Sequence, residues 1–294
     1  MTLAKENKSC IVIAGPTAVG KTGIAIEIAK ELSTCIISAD SRQCFTELDI
    51  GVAKPSTEQL SHVQHFFINS HTIHEDLNAA TFENYALVKA TAQFEEKDVL
   101  IMTGGTGLYI KAFCEGLDTV PQTDPEIRKN LTESYNSFGL AWLMSEIQRQ
   151  DPEFVIKSEG NPQRMLRALE VKLSSGRSIL NFQTGVKKER PFSIKKIGLE
   201  LPRTSLNTRI DNRVNLMMEK GLLDEVKSLY NYKHLNALQA VGYRELFDYL
   251  DGVYSLDEAV NRIKINTRQY AKRQMTWFKK DPEIAWQHAD SFTF

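Results

Sequence analysis

Residues 15–22 read GPTAVGKT, and their surroundings restrict the fold more than any other feature of the chain. The stretch matches G-x-x-x-x-G-K-[ST], from Gly15 through Gly20 and Lys21 to Thr22. Ahead of it lies CIVIA, Cys10 to Ala14, an apolar run rich in β-branched residues that predicts a buried strand. After it comes TGIAIEIAKEL, with Ile24 and Ile28 four apart, which predicts a helix. Strand, glycine loop and helix in that order form a phosphate cradle. The N–H groups of Ala18 to Thr22 would point at an anion. The helix N-terminus adds partial positive charge, Lys21 adds a full one, and the Thr22 hydroxyl is a candidate Mg²⁺ ligand. The candidate site for diphosphate or nucleotide is thus Gly15, Pro16, Thr17, Ala18, Val19, Gly20, Lys21 and Thr22. A tight turn with chance glycines is the plainer reading, and the full match in this setting disfavours it. The loop specifies phosphate or pyrophosphate; it leaves ATP binding open.

Further strand and helix signals follow. TCIIS, Thr34 to Ser38, runs into Asp40; DVLIM, Asp98 to Met102, runs into TGGTGLYIKAF. Between them TFENYALVKATAQFEE predicts a helix, with Thr81 as its N-cap. Alternating strands and helices imply an α/β fold with a parallel sheet, here a P-loop NTPase-like core. Ligands of such sheets sit beyond the carboxyl ends of the strands. The Gly15–Thr22 loop, Asp40 and the turn 103–107 all follow strand ends, so they should share one crevice. Near Asp118 the character changes: DTVPQTDPE carries two prolines and reads as a link. Charged helical sequence follows, including LAWLMSEIQRQ and PQRMLRALEVKLSS. KKERPF reads as the return link and SIKKIGLEL as another core strand. The expected organisation is a core of residues 1–117 and 191–294 with a helical insertion, a swivel domain, over 118–190.

Composition narrows the class. The chain has 294 residues, 42% hydrophobic and 25% charged, as in an ordinary soluble globular protein. The first ten residues lack a signal peptide's apolar stretch, and no run approaches membrane-spanning length. Cys10, Cys35, Cys44 and Cys114 are scattered, which suggests neither a zinc site nor a disulfide framework and fits a reduced, cytoplasmic setting. The pairs His62/His65 and His71/His74 invite a metal reading, but no cysteine or aspartate cluster accompanies them. With a net charge of −1, any nucleic-acid binding must come from a local patch.

Two features carry chemistry beyond the loop. A P-loop kinase usually has an acid at the end of a later strand to help hold Mg²⁺. Here Thr103, Gly104, Gly105 and Thr106 stand there instead. The acid follows the second strand, as Asp40 in ADSRQ, where a carboxylate beside a phosphate loop could take a proton from a nucleophile. Its bland alternative is a turn-capping aspartate. The second feature is NRIKINTRQYAKRQMTWFKK, residues 261–280, with seven basic residues, no acid and interleaved Tyr270, Trp277 and Phe278. Basic groups suit a phosphate backbone and aromatics stack on unpaired bases. An amphipathic helix with a solvated basic face is the alternative.

GPTAVGKT, ADSRQCFTELDIGVAKP, TGGTGLY, NPQRMLRALEV, AVGYREL and KRQMTWFKK, in that order, resemble the tRNA dimethylallyltransferase family, also called tRNA isopentenyltransferases, over nearly the whole chain. The resemblance implies transfer of a dimethylallyl group from dimethylallyl diphosphate to N6 of adenosine 37 beside the tRNA anticodon. The products are N6-(dimethylallyl)adenosine and diphosphate. On that pattern the Gly15–Thr22 loop cradles a pyrophosphate, with Mg²⁺ as cofactor near Thr22. Lys21 stabilises the leaving group, Asp40 acts as base and Thr106 helps hold the reacting groups. Arg209 and Arg213, four apart in LNTRIDNRVNLMM, are candidate diphosphate ligands, Arg213 the stronger. Contacts to the tRNA anticodon stem-loop are implied for Asp40, Ser41, Arg42 and Gln43; for Gln163, Arg164, Met165, Leu166 and Arg167; for Ala240, Val241, Gly242, Tyr243, Arg244 and Glu245; and for Lys272, Arg273, Gln274, Met275, Thr276, Trp277, Phe278 and Lys279. Thr106 and Arg128 are weaker candidates. CFTEL, Cys44 to Leu48, departs from the family pattern, and its apolar bulk reads as a packing change. A monomer with no membrane attachment is expected. The competing readings are a P-loop kinase for a small molecule or nucleoside, and an RNA-binding regulator with a degenerate loop. The missing acid after the strand 98–102 argues against the first. The intact Lys21 and Thr22 argue against the second.

Overall fold

The computed structural model describes residues 8–155 and 161–294. In chain order its elements are β1 (Ser9–Ala14), α1 (Lys21–Glu31), β2 (Ile36–Ser38), α2 (Thr57–His62), β3 (His65–Phe66), α3 (Ala79–Gln93), β4 (Val99–Thr103) and α4 (Gly107–Glu115). There follow α5 (Pro125–Gln150), α6 (Pro152–Val155) and α7 (Pro162–Ser175). Last come β5 (Ser193–Glu200), α8 (Arg203–Glu219), α9 (Leu222–Ser228), α10 (Tyr243–Leu250), α11 (Leu256–Phe278) and β6 (Ile284–His288). The described residues up to Gly116 and Glu189–Phe294 form one compact unit, and Leu117–Lys188 form a second.

The first unit is an α/β layer fold. Its six strands lie in the order β3-β2-β4-β1-β5-β6, all pairs parallel. β1 is central, with Cys10 to Ala14 buried, because helices cover both faces of a parallel sheet and its strands become continuous apolar runs. Ile11 and Ile13 pack with Ile26 and Ile28 of α1 and Ile210 of α8 in one core cluster. Each such side chain stabilises the fold by about 1.5–3 kcal/mol relative to exposure. An aromatic cluster packs elsewhere in this unit. Phe82 stacks on Tyr109 with centroids 4.4 Å apart, and Phe67 meets Phe82 edge-on at 5.0 Å. The expected strands at 10–14, 34–38, 98–102 and 193–201 are all present within two residues at each end. β3 and β6 were not expected. Cys44, Phe45 and Leu48 are all buried, so CFTEL is packing, as its apolar bulk suggests.

One helix start differs from the sequence expectation. The N-cap of α3 is Asn78, not Thr81: Asn78 Oδ1 accepts the N–H groups of Ala80 and Thr81 at 2.9 and 3.0 Å. Asparagine is among the strongest N-caps, and the earlier of two capping residues captures the helix start.

The second unit is helical. α5 leaves helical geometry at Gly139 (φ 72, ψ −165), one residue before LAWLMSEIQRQ begins. Leu143, Ile147, Met165, Leu166 and Leu169 form its core. Asn161 caps α7 by accepting the Arg164 N–H at 3.2 Å.

The cap assignment has a measurable consequence. Asn78→Ala is expected to lower stability by about 1 kcal/mol, and Thr81→Ala by less than about 0.5 kcal/mol, in urea unfolding at matched slope. The reverse order would return the cap to Thr81.

Candidate active site

β1, β2 and β4 are parallel neighbours, so the segments that follow them leave the sheet at one edge. Together with α8, α11 and the segment 46–69 they line a single cavity of about 840 Å³. The Gly15–Thr22 loop contributes Thr17, Ala18, Gly20, Lys21 and Thr22. The β2 end contributes Ser38 and Asp40, and the turn after β4 contributes Thr103, Gly104 and Gly105. The crevice expected from the strand ends is therefore present.

The loop is held under strain. Ala18 adopts a left-handed φ of 66°, which costs a non-glycine residue about 1–2 kcal/mol and persists only where neighbours over-determine it. Val19 N–H donates to the Pro16 carbonyl at 3.4 Å, and Thr17 N–H to Gln274 Oε1 at 2.8 Å. Lys21 Nζ donates to the Pro16 carbonyl at 2.7 Å. Burial, then the nearby Arg213 guanidinium, pulls the Lys21 ammonium from an ordinary 10.5 down to about 7; Asp40 opposes this. The two candidate arginines have separate roles. Arg213 lines the cavity and donates to Thr17 Oγ1 at 3.3 Å. Arg209 pairs with Asp290 and donates to the Val19 carbonyl at 3.4 Å, bracing the loop from behind.

Asp40 makes a turn and keeps one oxygen spare. Its Oδ1 accepts the N–H groups of Arg42 and Gln43 at 2.9 and 3.3 Å, and its Oδ2 has no hydrogen bond among the described residues. The capping reading and the functional reading thus describe different oxygens of one carboxylate. The segment around it is clamped by the turn after β4. Ala39 N–H donates to the Thr103 carbonyl at 2.7 Å, and Thr106 N–H donates to the Ala39 carbonyl at 3.1 Å. A Cβ on Gly104 would lie 2.2 Å from that same carbonyl oxygen, so only glycine permits the approach. Thr106 Oγ1 accepts the Ser41 N–H at 3.0 Å and donates to Ser41 Oγ at 3.3 Å. Its hydroxyl therefore holds the Asp40 segment, and Thr106 is not among the cavity-lining residues.

The residues expected to meet RNA divide by exposure. Arg244, Lys272, Arg273, Thr276 and Trp277 are exposed; Ala240, Val241, Ser41, Arg42, Gln43 and Met275 are half-buried. Gly242, Tyr243, Glu245, Gln274 and Phe278 are buried. Tyr243 donates to Glu225, and Glu245 accepts from Gly242 N–H and Asn266. Lys279 pairs with Glu200 and lies over the Trp286 ring. Within the helical unit, Gln163 and Arg164 are exposed, and Met165 and Leu166 are core. Arg128 and Arg167 both reach the buried Glu170, at 3.5 and 2.9 Å.

Other residues of the site were not assigned a role from the sequence. Glu225 accepts the N–H groups of Ile50 and Gly51, at 2.7 and 3.1 Å, and so fixes a wall of the cavity. Lys54, Lys220 and Tyr270 also line it. Lys54 lies within DIGVAKP, and Tyr270 is one of the aromatics interleaved in the basic stretch 261–280. The histidines gather into no metal-binding group among the described residues. His65 Nδ1 is hydrogen-bonded to the Val63 carbonyl. A trio of carboxylates, Glu115, Asp281 and Glu283, surrounds Lys196 Nζ at 3.4, 2.7 and 2.8 Å, so a lysine sits where a cation would.

Known proteins resemble the chain throughout. The family described as IPP transferase matches residues 43–281. The tRNA dimethylallyltransferase of Cytophaga hutchinsonii is 45% identical over 288 residues, covering 98% of this chain and 95% of that one. The tRNA dimethylallyltransferase 1 of Bacteroides thetaiotaomicron is 44% identical over 284 residues, covering 96% and 92%. Among solved structures, the full-length tRNA isopentenylpyrophosphate transferase of Bacillus halodurans superposes with a TM-score of 0.71 at 35% identity, covering 97% of this chain and 90% of that one. A eukaryotic dimethylallyltransferase described as acting on tRNA superposes with a TM-score of 0.78 at 25% identity, covering 96% and 74%.

The depressed Lys21 makes a stability prediction. Its ordinary pKa exceeds its folded one, so between pH 7 and 10.5 the unfolded chain binds more protons at this position. Stability at this group therefore rises with pH across that window, and its cost is fully present below it. Lys21→Met should raise the melting temperature of the ligand-free protein, most at pH 6–7, with the gain shrinking toward pH 10. A variant less stable than wild type at pH 6 would contradict the burial of a charged lysine here.

Proposed function

The chain belongs to the IPP transferase family, and from that membership we propose that it transfers a dimethylallyl group from dimethylallyl diphosphate to N6 of adenosine 37 in tRNA. Family membership supplies the substrates. The observation that carries the chemistry is one cavity lined by both the Gly15–Thr22 loop and Asp40. The N6 amine attacks C1 of the dimethylallyl group, the C1–O bond breaks and diphosphate leaves. Negative charge grows on the leaving oxygens. The loop amides, Lys21 and Arg213 stabilise that charge before solvent could reorganise. Asp40 accepts the N6 proton. Val52, Leu60, Leu216 and Met217 supply apolar wall for the hydrocarbon tail.

Mg²⁺ belongs to the same proposal. Among the side chains lining the cavity, the hydroxyls of Thr22 and Ser38 and the Asp40 carboxylate offer oxygen, the ligand type Mg²⁺ takes together with phosphate and water. Thr22 would hold it, and once bound it would add positive charge beside the diphosphate. For RNA, the exposed Arg244, Lys272, Arg273 and Trp277 and the half-buried Arg42 and Gln43 would engage the anticodon stem-loop. Gln163 and Arg164 would contribute from the helical unit. Adenosine 37 must leave its stack to reach Asp40, so the base flips out. The enzyme works as a monomer in the cytoplasm. No helix among the described residues is long and apolar enough to cross a membrane.

Incubation with unmodified tRNA and labelled dimethylallyl diphosphate, without ATP, is expected to place label on adenosine 37. Asp40→Asn should lower kcat by about 10²–10⁴-fold and leave diphosphate affinity near wild type. Unlabelled tRNA, with ATP consumed on a small alcohol or nucleoside in a parallel reaction, would favour the kinase reading instead.

A further inference from the structure

Gln274 is 5% exposed on α11, between surface positions 273 and 276. Its amide joins two loops. Oε1 accepts the Thr17 N–H and Nε2 donates to the Gly105 carbonyl, both at 2.8 Å. A Cβ on Gly105 would lie 2.2 Å from Nε2, so the glycine admits the amide. Only a side chain that donates at one end and accepts at the other satisfies both loops. A glutamate would turn negative charge on the Gly105 carbonyl. A methionine would leave a buried N–H and C=O unpaired.

These loops divide the proposed reaction between them. Thr17 belongs to the loop that would hold the leaving group. Gly105 belongs to the turn that clamps Ala39 and Ser41 around Asp40. On the same helix, Lys272 and Arg273 are exposed to solvent. Resting on the transferase reading above, we propose that Gln274 is a positioning residue that sets the diphosphate loop against the Asp40 segment and ties both to α11. RNA engaged on α11 and diphosphate in the loop then each strengthen the other's binding, by the same factor in both directions.

The test uses the full-length protein, inorganic diphosphate and an unmodified anticodon stem-loop RNA. Wild type should bind diphosphate about 5-fold or more tightly when RNA is present, at the low end of typical coupling. Gln274→Met, whatever its affinity for each ligand alone, should show no coupling between them and lose about 10²-fold in kcat, the scale of a small misplacement. Gln274→Glu supplies the sharper readout. A protonated carboxyl donates and accepts as the amide does, and a carboxylate only accepts. Its coupling and turnover, as a ratio to wild type at each pH, should be near one in acid and fall as pH rises through that carboxyl's pKa. Lys21, Asp40, Arg213 and Tyr270 line the same cavity and are present in both proteins, so each variant is compared with wild type at the same pH. A folded Gln274→Met with wild-type coupling and kcat would overturn the proposal, as would a flat Gln274→Glu ratio. If Gln274→Met does not fold, the ratio alone decides. Binding is read without turnover. Intact coupling in a protein that transfers no prenyl group would refute the transferase reading alone, and transfer without coupling would refute this inference alone.

Discussion

The hydrogen bond from Ala39 N–H to the Thr103 carbonyl, 2.7 Å long, brings the ends of β2 and β4 into contact just outside the sheet. Parallel pairing makes that contact available, because neighbouring strands deliver their carboxyl ends to the same edge. Much of the cavity is built out from it. Gly104 lies against Ala39, Thr106 holds Ser41, and Asp40 is left with one oxygen committed to its turn and one without a partner among the described residues. Gln274 then ties this assembly to the loop after β1, and Glu225 fixes the wall at Ile50 and Gly51. The site is thus made largely of backbone groups held by other backbone groups, with side-chain amides and carboxylates as fasteners.

Such a cavity is uncomfortable without a ligand. Lys21 and Arg213 lie close enough that the guanidinium helps lower the lysine's pKa, and Ala18 holds a strained backbone angle. On the proposed reaction a diphosphate would relieve the charge crowding, and donors fixed in advance would need no rearrangement as the leaving group develops charge. Elsewhere several basic residues are paired: Arg209 on Asp290, Arg268 on Asp211, Lys279 on Glu200. This fits a chain whose net charge is only −1. Lys272 and Arg273 are exposed and carry no ion pair among the described residues.

What the sequence reveals follows from what a linear pattern can encode. β1 and β4 are apolar runs buried almost throughout, β5 is buried from Lys196 to Leu199, and β2 is shorter but wholly buried, so all four are visible in the residues. β3 has two residues, and in β6 only Ile284 is buried, so neither carries a pattern to detect. The crevice was readable because parallel strands and their ends are. The division of labour within it was not. Arg209 and Arg213 share a helix face by spacing, yet one braces the loop and the other faces the cavity, a difference made by Asp290 some eighty residues away. Gln274 looks like part of a basic surface patch by composition. Its neighbours Ala271 and Phe278, three and four residues off, are buried with it, and that helical spacing is the signal that marks it as interior.

The central claim is that one cavity brings a diphosphate and an adenine amine together across the Gly15–Thr22 loop and Asp40. A crystal structure of the protein with a non-reactive thio-analogue of dimethylallyl diphosphate and an anticodon stem-loop tests it most directly. The account predicts diphosphate oxygens on the amides of residues 18–22, with adenosine 37 flipped out and its N6 about 2.6–3.2 Å from an Asp40 oxygen. Adenosine 37 still stacked in the RNA loop, or the diphosphate bound away from Lys21, would contradict it.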